Sequence, residues 1–227
     1  MSGPIRQEYL AALGLQGWVL RGPPAIPGPA ATAGDAPRVG ALDWEQLRAR
    51  VAACTRCALS GTRTQTVFGV GDPRAEWLIV GEAPGAEEDR QGEPFVGRAG
   101  QLLNAMLRAI GLAREQVYIA NVLKCRPPEN RDPNGRESGE CLPYLERQIE
   151  LLRPRIMLAV GRIAAQNLLR TDTALGRLRQ QVHAFGAARV PLVVTYHPAY
   201  LLRTPGDKRK AWEDLKFARE VCARVER

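Results

Sequence analysis

Histidine is nearly absent from this chain: 227 residues hold only two, His183 and His197. Lysine is almost as scarce, with four at positions 124, 208, 210 and 216, so the other 28 of 32 cationic side chains are arginine. No apolar run approaches the ~18 residues that cross a bilayer as a helix, which excludes a membrane-spanning helix. The opening MSGPIRQEYLAALGLQGWVL lacks a charged region followed by a clean apolar block and a small-residue cleavage site. A cytoplasmic, monomeric protein is expected. The glycine-rich turn at 81–85 is followed by no Gly-Lys-Ser/Thr and lacks the G-x-G-x-x-G spacing. It therefore matches neither a triphosphate loop nor a dinucleotide fingerprint.

What is present is a formal charge of +8, which favours nucleic acid or another polyanion through phosphate contacts and counterion release. The length allows one domain, or two at most, with enough chain to bury a core. Residues 21–40, RGPPAIPGPAATAGDAPRVG, carry five prolines and almost no large apolar side chains. Such a segment buries too little surface to offset its ordering entropy. Residues 1–42 are accordingly expected as a flexible Pro/Ala/Gly-rich extension, available to a replication or repair partner, and residues 43–227 as the folded domain.

From Asp43 the pattern alternates. A helix over LDWEQLRARVAAC, capped by Asp43, precedes an apolar strand WLIV at 77–80. Helices near 97–110, 137–152, 162–169 and from 207 then alternate with apolar runs at 117–120, 156–160 and 192–195. Short continuous apolar strands alternating with helices imply a parallel sheet covered on both faces. Ligands of such sheets bind at the carboxyl ends of the strands. Three of those ends carry chemistry, Glu82, Asn121 and His197, and they are expected to converge.

LIVGEAPGAEEDRQGEPFVG, residues 78–97, places five acids beside the turn. Glu82, one residue beyond the strand, would repel a phosphate but suits polarising water or facing a cationic transition state. Cys54 and Cys57 form a C-x-x-C pair, while Cys125 and Cys141 lie far downstream. Four thiolates complete the ligands of either a zinc ion or an iron–sulfur cluster, and spacing alone does not choose between them. Cys222 reads as a small buried apolar residue in the last helix. The loop KCRPPENRDPNGR, residues 124–136, is basic and would need an anchor to hold one shape beside DNA.

Taken together, GEAPGAEED, EPFVGRAGQLL, NVLKCRPPENRDP and HPAYLLR resemble the bacterial and archaeal family 4 uracil-DNA glycosylases, over roughly residues 43–220. The resemblance implies a three-layer α/β/α sandwich around a short, mostly parallel four-stranded sheet. It also implies a [4Fe–4S] cluster on Cys54, Cys57, Cys125 and Cys141. The implied activity is removal of uracil from single- or double-stranded DNA, starting base excision repair. The uracil pocket would comprise Glu82, Ala83, Pro84, Gly85, Glu88, Phe95, Asn121 and His197. There Phe95 stacks on the base, Asn121 reads its edge and Glu88 walls off a C5 methyl. Glu82 and His197 are the expected catalytic pair, acting on water or the sugar cation and on uracil O2. Leu201 or Leu202 would wedge into the gap left by the flipped base, with Lys124, Arg126, Arg131 and Arg203 along the DNA. Residues 126–140 contain no histidine, so hydrolytic release is expected rather than covalent trapping. The rival readings are a non-catalytic iron–sulfur module that binds damaged DNA and a zinc hydrolase of free nucleosides. Glu82, Asn121 and His197 together argue against the first, and the arginine-rich loop with its leucine wedge against the second.

Overall fold

Asp43 caps the first helix of the computed structural model, which describes residues 38–225. Its carboxylate accepts from the Gln46 N–H at 2.8 Å while Gln46 Oε1 accepts from the Asp43 N–H at 3.1 Å. This reciprocal box starts α1 (Trp44–Ala52), which buries Leu47 and Val51. Most of the expected N-terminal extension lies outside the described residues. Its last residue, Leu42, is buried in a core cluster with Leu47 and Val51.

The chain continues through β1 (Val70–Gly71), β2 (Trp77–Gly81), α2 (Ala86–Gln91), α3 (Arg98–Ala109) and β3 (Val117–Asn121). Then come α4 (Gly135–Leu152), β4 (Ile156–Val160), α5 (Arg162–Leu169), α6 (Leu175–Leu178) and β5 (His183–Phe185). The last elements are β6 (Val190–Thr195), α7 (Pro198–Arg203) and α8 (Lys208–Arg224). Among the described residues, no helix is long and apolar enough to cross a membrane.

The strands form one six-stranded mixed sheet in the order β1-β3-β2-β4-β6-β5. This corrects the expected four-stranded, mostly parallel sheet. Parallel pairing joins β3, β2, β4 and β6, and an antiparallel strand closes each edge, β1 on β3 and β5 on β6. These edge strands have two and three residues, too few to carry an alternation or an apolar run. They exist because the neighbouring strand supplies hydrogen-bond partners, which is not a local property.

Period-2 alternation sends the central strands' side chains to two cores. Ile79, Ile119, Leu158 and Val193 meet Leu103, Met106 and Leu107 of α3 and Ala211, Leu215 and Ala218 of α8. Leu78, Val80, Met157 and Val194 meet Leu145 and Ile149 of α4 and Ala164, Ala165 and Leu168 of α5. Burying a Leu or Ile side chain of this size contributes about 1.5–3 kcal/mol, so both faces hold the sheet rigidly. The chain passes from β2 to β3 on one side and returns to β4 on the other. That reversal opens a crevice at the carboxyl ends of β2, β3, β4 and β6.

Candidate active site

A cavity of about 710 Å³ occupies that crevice. Its lining includes Glu82, Ala83, Pro84, Gly85 and Glu88 after β2, Phe95 before α3, Asn121 at the tip of β3, and His197 after β6. The register of the parallel pair sets Gly81 beside Asn121. A Cβ on Gly81 would lie 2.4 Å from Asn121 Oδ1 and 2.7 Å from the Phe95 ring. The pairing extends beyond the strands, because Val122 N–H donates to the Gly81 carbonyl and Leu123 N–H to that of Glu82, both at 3.0 Å.

Asn121 is 2% exposed, and its Oδ1 is sealed from solvent with no hydrogen-bond partner. A buried acceptor left unsatisfied costs roughly 1–3 kcal/mol. Phe95, also buried, holds a positive φ of 56°. Arg114 fixes this strained turn by donating to the Phe95 and Pro94 carbonyls and to Asn104 Oδ1. Gly100 lets α3 come close beneath it, since a Cβ there would lie 1.7 Å from the Phe95 carbonyl oxygen. Glu88 Oε1 accepts from the N–H groups of Val96 and Gly97 at 3.1 and 3.4 Å. This acid therefore braces the Phe95 turn while lining the cavity.

The two ionisable groups at the strand tips are shifted in opposite directions. Burial first, and then the Asp132 charge, raise the Glu82 carboxyl to about 7 against a downward pull from Arg162. Burial lowers His197 to about 4, with Arg203 adding to the fall and Glu88 opposing it. The imidazole is thus neutral at physiological pH. Its Nδ1 accepts from the Ala199 N–H at 3.1 Å, so the ring hydrogen resides on Nε2 and that atom is a donor. The ring stands 5.6 Å from that of Phe95, tilted by 32°.

Residues the sequence reading missed also line the cavity: Asp132, Gly161, Arg162, Tyr196 and Tyr200. Arg162 Nη2 pairs with Asp132 Oδ2 at 2.8 Å, so two charges that bear on Glu82 are joined to each other. Arg162 follows the β4 strand as Glu82 follows β2, and the strand-tip rule applied to IMLAVG would have found it.

Two residues expected along the DNA, Lys124 and Leu201, are buried. Lys124 is 1% exposed, and its ammonium donates inward to the Asn121 carbonyl at 2.8 Å and to Gln148 Oε1 at 2.6 Å. It supports the main chain under Asn121 and does not reach a phosphate. Leu201 is likewise 1% exposed and packs in the core with α3 and α8. Of the leucine pair, only the half-buried Leu202 has a surface to offer. Arg203 is exposed and lines the cavity. Arg131 lines it too, with its guanidinium held by Glu137 at 2.6 and 2.9 Å. Arg126 donates to Asn130 Oδ1 at 2.8 Å within its own loop.

Cys54, Cys57, Cys125 and Cys141 line a second, small cavity together. Three donors address their sulfurs: Arg63 on Cys125 at 3.0 Å, the Lys124 N–H on Cys141 at 3.2 Å and the Tyr144 hydroxyl on Cys54 at 3.3 Å. Among the described residues, no three Cys, His, Asp or Glu side chains are grouped to hold a metal ion. Cys222, within α8, is buried against the sheet.

This α/β fold carries, at its strand tips, one cavity lined by a carboxylate, a buried amide and an imidazole, and it falls in a known class. The family described as the uracil DNA glycosylase superfamily matches residues 68–216. The type-4 uracil-DNA glycosylase of Archaeoglobus fulgidus is 45% identical over 180 residues, 77% of this chain and 90% of that protein. That of Thermotoga maritima is 40% identical over 179 residues, 77% and 92% of the two. A type-5 uracil-DNA glycosylase of Thermus thermophilus is 36% identical over 175 residues, 70% and 76%. The chain belongs to the type-4 uracil-DNA glycosylase family.

The leucine pair separates core from surface experimentally. Leu201→Ala is expected to lower the unfolding free energy by about 2–5 kcal/mol. Leu202→Ala should change it by about 1 kcal/mol or less. Urea titrations of the two variants measure both.

Proposed function

We propose that this protein extrudes uracil from DNA into the 710 Å³ cavity and hydrolyses its N-glycosidic bond, leaving an abasic site. The observation that carries the reading is Asn121, which lines the cavity with Glu82 and His197 and holds a buried Oδ1 acceptor without a partner. Uracil presents a donor at N3 and an acceptor at O4, and an amide in one orientation satisfies both. Cytosine reverses the two and would leave buried groups unpaired, which discriminates far better than shape. Phe95 supplies the stacking face, worth about 1–3 kcal/mol for any base. Glu88, held by the amides of Val96 and Gly97, supplies the wall that excludes a C5 methyl group.

Bond cleavage sends the C1′–N1 electron pair into the base, with charge gathering on O2, and leaves an oxocarbenium-like sugar. His197 donates from Nε2 to O2. A preorganised donor of this kind contributes about 2.7–4 kcal/mol to the transition state. A neutral imidazole suits the task, because it donates a hydrogen bond without surrendering a proton in the ground state. Glu82 in its ionised form orients the attacking water, accepts its proton and stabilises the sugar cation. Water oxygen bonds to C1′, and uracil leaves with the bonding pair. Leu202 fills the vacated stack, and Arg203, Arg126 and Arg131 face the phosphates.

Cys54, Cys57, Cys125 and Cys141 fit a [4Fe–4S] cluster by donor chemistry: four thiols on one cavity with three hydrogen-bond donors at the sulfurs. Its iron–thiolate bonds would crosslink the end of α1, the loop at 124–136 and α4. That loop carries Arg131 and Asp132 to the mouth of the cavity.

Three outcomes test this reading. Asn121→Asp is expected to reduce uracil release from a uracil-bearing oligonucleotide by at least about 100-fold, since the carboxylate repels O4 and the developing anion. Full activity in that variant refutes the role. The wild-type rate under single-turnover conditions should fall as pH drops through about 7, where the Glu82 carboxyl takes up its proton. In Glu82→Gln that acid limb should vanish along with most of the rate, while DNA affinity is retained. Purified wild-type protein should carry close to four irons per chain with visible absorbance, and Cys57→Ser or Cys141→Ala should lose both. Zinc in their place disproves the cluster.

A further inference from the structure

Helix α8 covers the sheet with Ala211, Leu215, Ala218, Val221 and Cys222, yet the face adjoining that core side carries an unexplained feature. Trp212 is 39% exposed and, with Val182, is one of two exposed large apolar side chains among the described residues. At 100° per residue, Lys208, Trp212, Lys216 and Arg219 fall within about 80° of arc, with Arg209 at its border. Glu213 and Glu220 lie beyond that border, so the indole sits among cations. Lys216 Nζ is 5.9 Å from the Trp212 ring centroid and pairs with Glu213 at 2.7 Å. Lys208, Arg209 and Arg219 make no ion pair among the described residues.

The N-terminal end of this stripe lies near the cavity mouth, and the helix runs from there toward the amino ends of the strands, where Arg155 donates to the Cys222 carbonyl. The Tyr200 hydroxyl donates to Asp207 at 2.6 Å just before α8, and Arg179 donates to the Lys210 carbonyl at 2.8 Å. Tyr200 and Arg203 both line the cavity. Arg179 also holds the buried Asp214 of α8, which accepts from Thr195 at the end of β6. The helix is therefore clamped to the strand tip that positions His197. From Lys208 to Arg219 it rises about 16 Å, the axial length of about five base pairs.

We propose that this face of α8 is a nucleic-acid contact surface for the duplex flanking the extruded nucleotide, with Lys208, Arg209 and Arg219 on phosphates and Trp212 packed against the strand between them. The inference rests on the DNA-acting reading above and adds a footprint outside the base pocket. Three uncompensated cations match a polyanion, and the indole offers apolar area to deoxyribose or an unstacked base. An acidic protein partner would share the salt dependence, but removing the stripe would then leave duplex binding unchanged.

The experiment is a salt titration of binding to a uracil-free duplex, followed by fluorescence anisotropy, with no turnover to confound it. In Lys208→Ala/Arg209→Ala/Arg219→Ala the slope of log K against log salt is expected to be shallower by about 2–3, at about 0.9 per phosphate contact. Trp212→Ala should weaken binding with little change in slope. Single-turnover uracil release at saturating protein should stay within about twofold of wild type in both, because neither touches the reacting atoms. Unchanged slope and affinity in the triple variant overturns the proposal. Wild-type protein that binds the duplex but releases no uracil removes the activity and leaves this surface standing; wild type that does not bind removes both.

Discussion

Two strand tips touch because Gly81 has no side chain. In a parallel sheet, adjacent strands hold their Cβ atoms about as far apart as the strands themselves, which leaves no space between them for a large polar group. Removing one Cβ lets Asn121 Oδ1 and the edge of Phe95 occupy its volume, so amide and ring meet against a bare backbone. Asn121 and Phe95 are thereby fixed by main chain rather than by flexible side-chain contacts. Phe95 bears the cost in a backbone conformation worth about 1–3 kcal/mol of strain, held by Arg114 from one side and by α3 from the other.

The same crevice separates two protonation states. Glu82 and His197 are both moved by loss of water, and desolvation disfavours whichever form is charged, so the acid rises and the base falls. Their neighbours then act in different directions: Arg162 draws Glu82 back toward ionisation, while Arg203 keeps His197 neutral. The Asp132–Arg162 pair spans the loop at 124–136 and the start of α5, which ties the charge felt by Glu82 to the shape of that loop. The cysteine cavity holds the other end of the loop, and between them the Lys124 ammonium grips the Asn121 carbonyl and Gln148. A disturbance at Cys125 or Cys141 thus has a short path, through one buried lysine, to the main chain of Asn121.

Much of this was legible from residue order. The alternation of apolar runs with amphipathic helices located the four parallel strands, and the rule of strand ends selected Glu82, Asn121 and His197, which share one cavity. The reading stopped at features without a local pattern. QVHAF reads as a strand and is β5, but β1 is too short to announce itself, and a basic residue in an arginine-rich loop looks solvent-facing whether or not it is. Lys124 was placed on DNA for that reason, though the fold turns it inward. Leu201 and Leu202 are chemically identical, and only the angle at which α7 meets α3 decides which of them is core.

Sequence alone determined where the main helices and the four parallel strands lie and which reactive groups sit at their ends, because apolar periodicity and turn chemistry act over a few neighbouring residues. Tertiary structure alone decided the antiparallel pairing at both sheet edges, the inward path of Lys124, the exposure of Trp212 and the opposite shifts of Glu82 and His197. Each of these depends on solvent being excluded by segments distant in the chain, and burial of that kind has no signature in the residue that undergoes it.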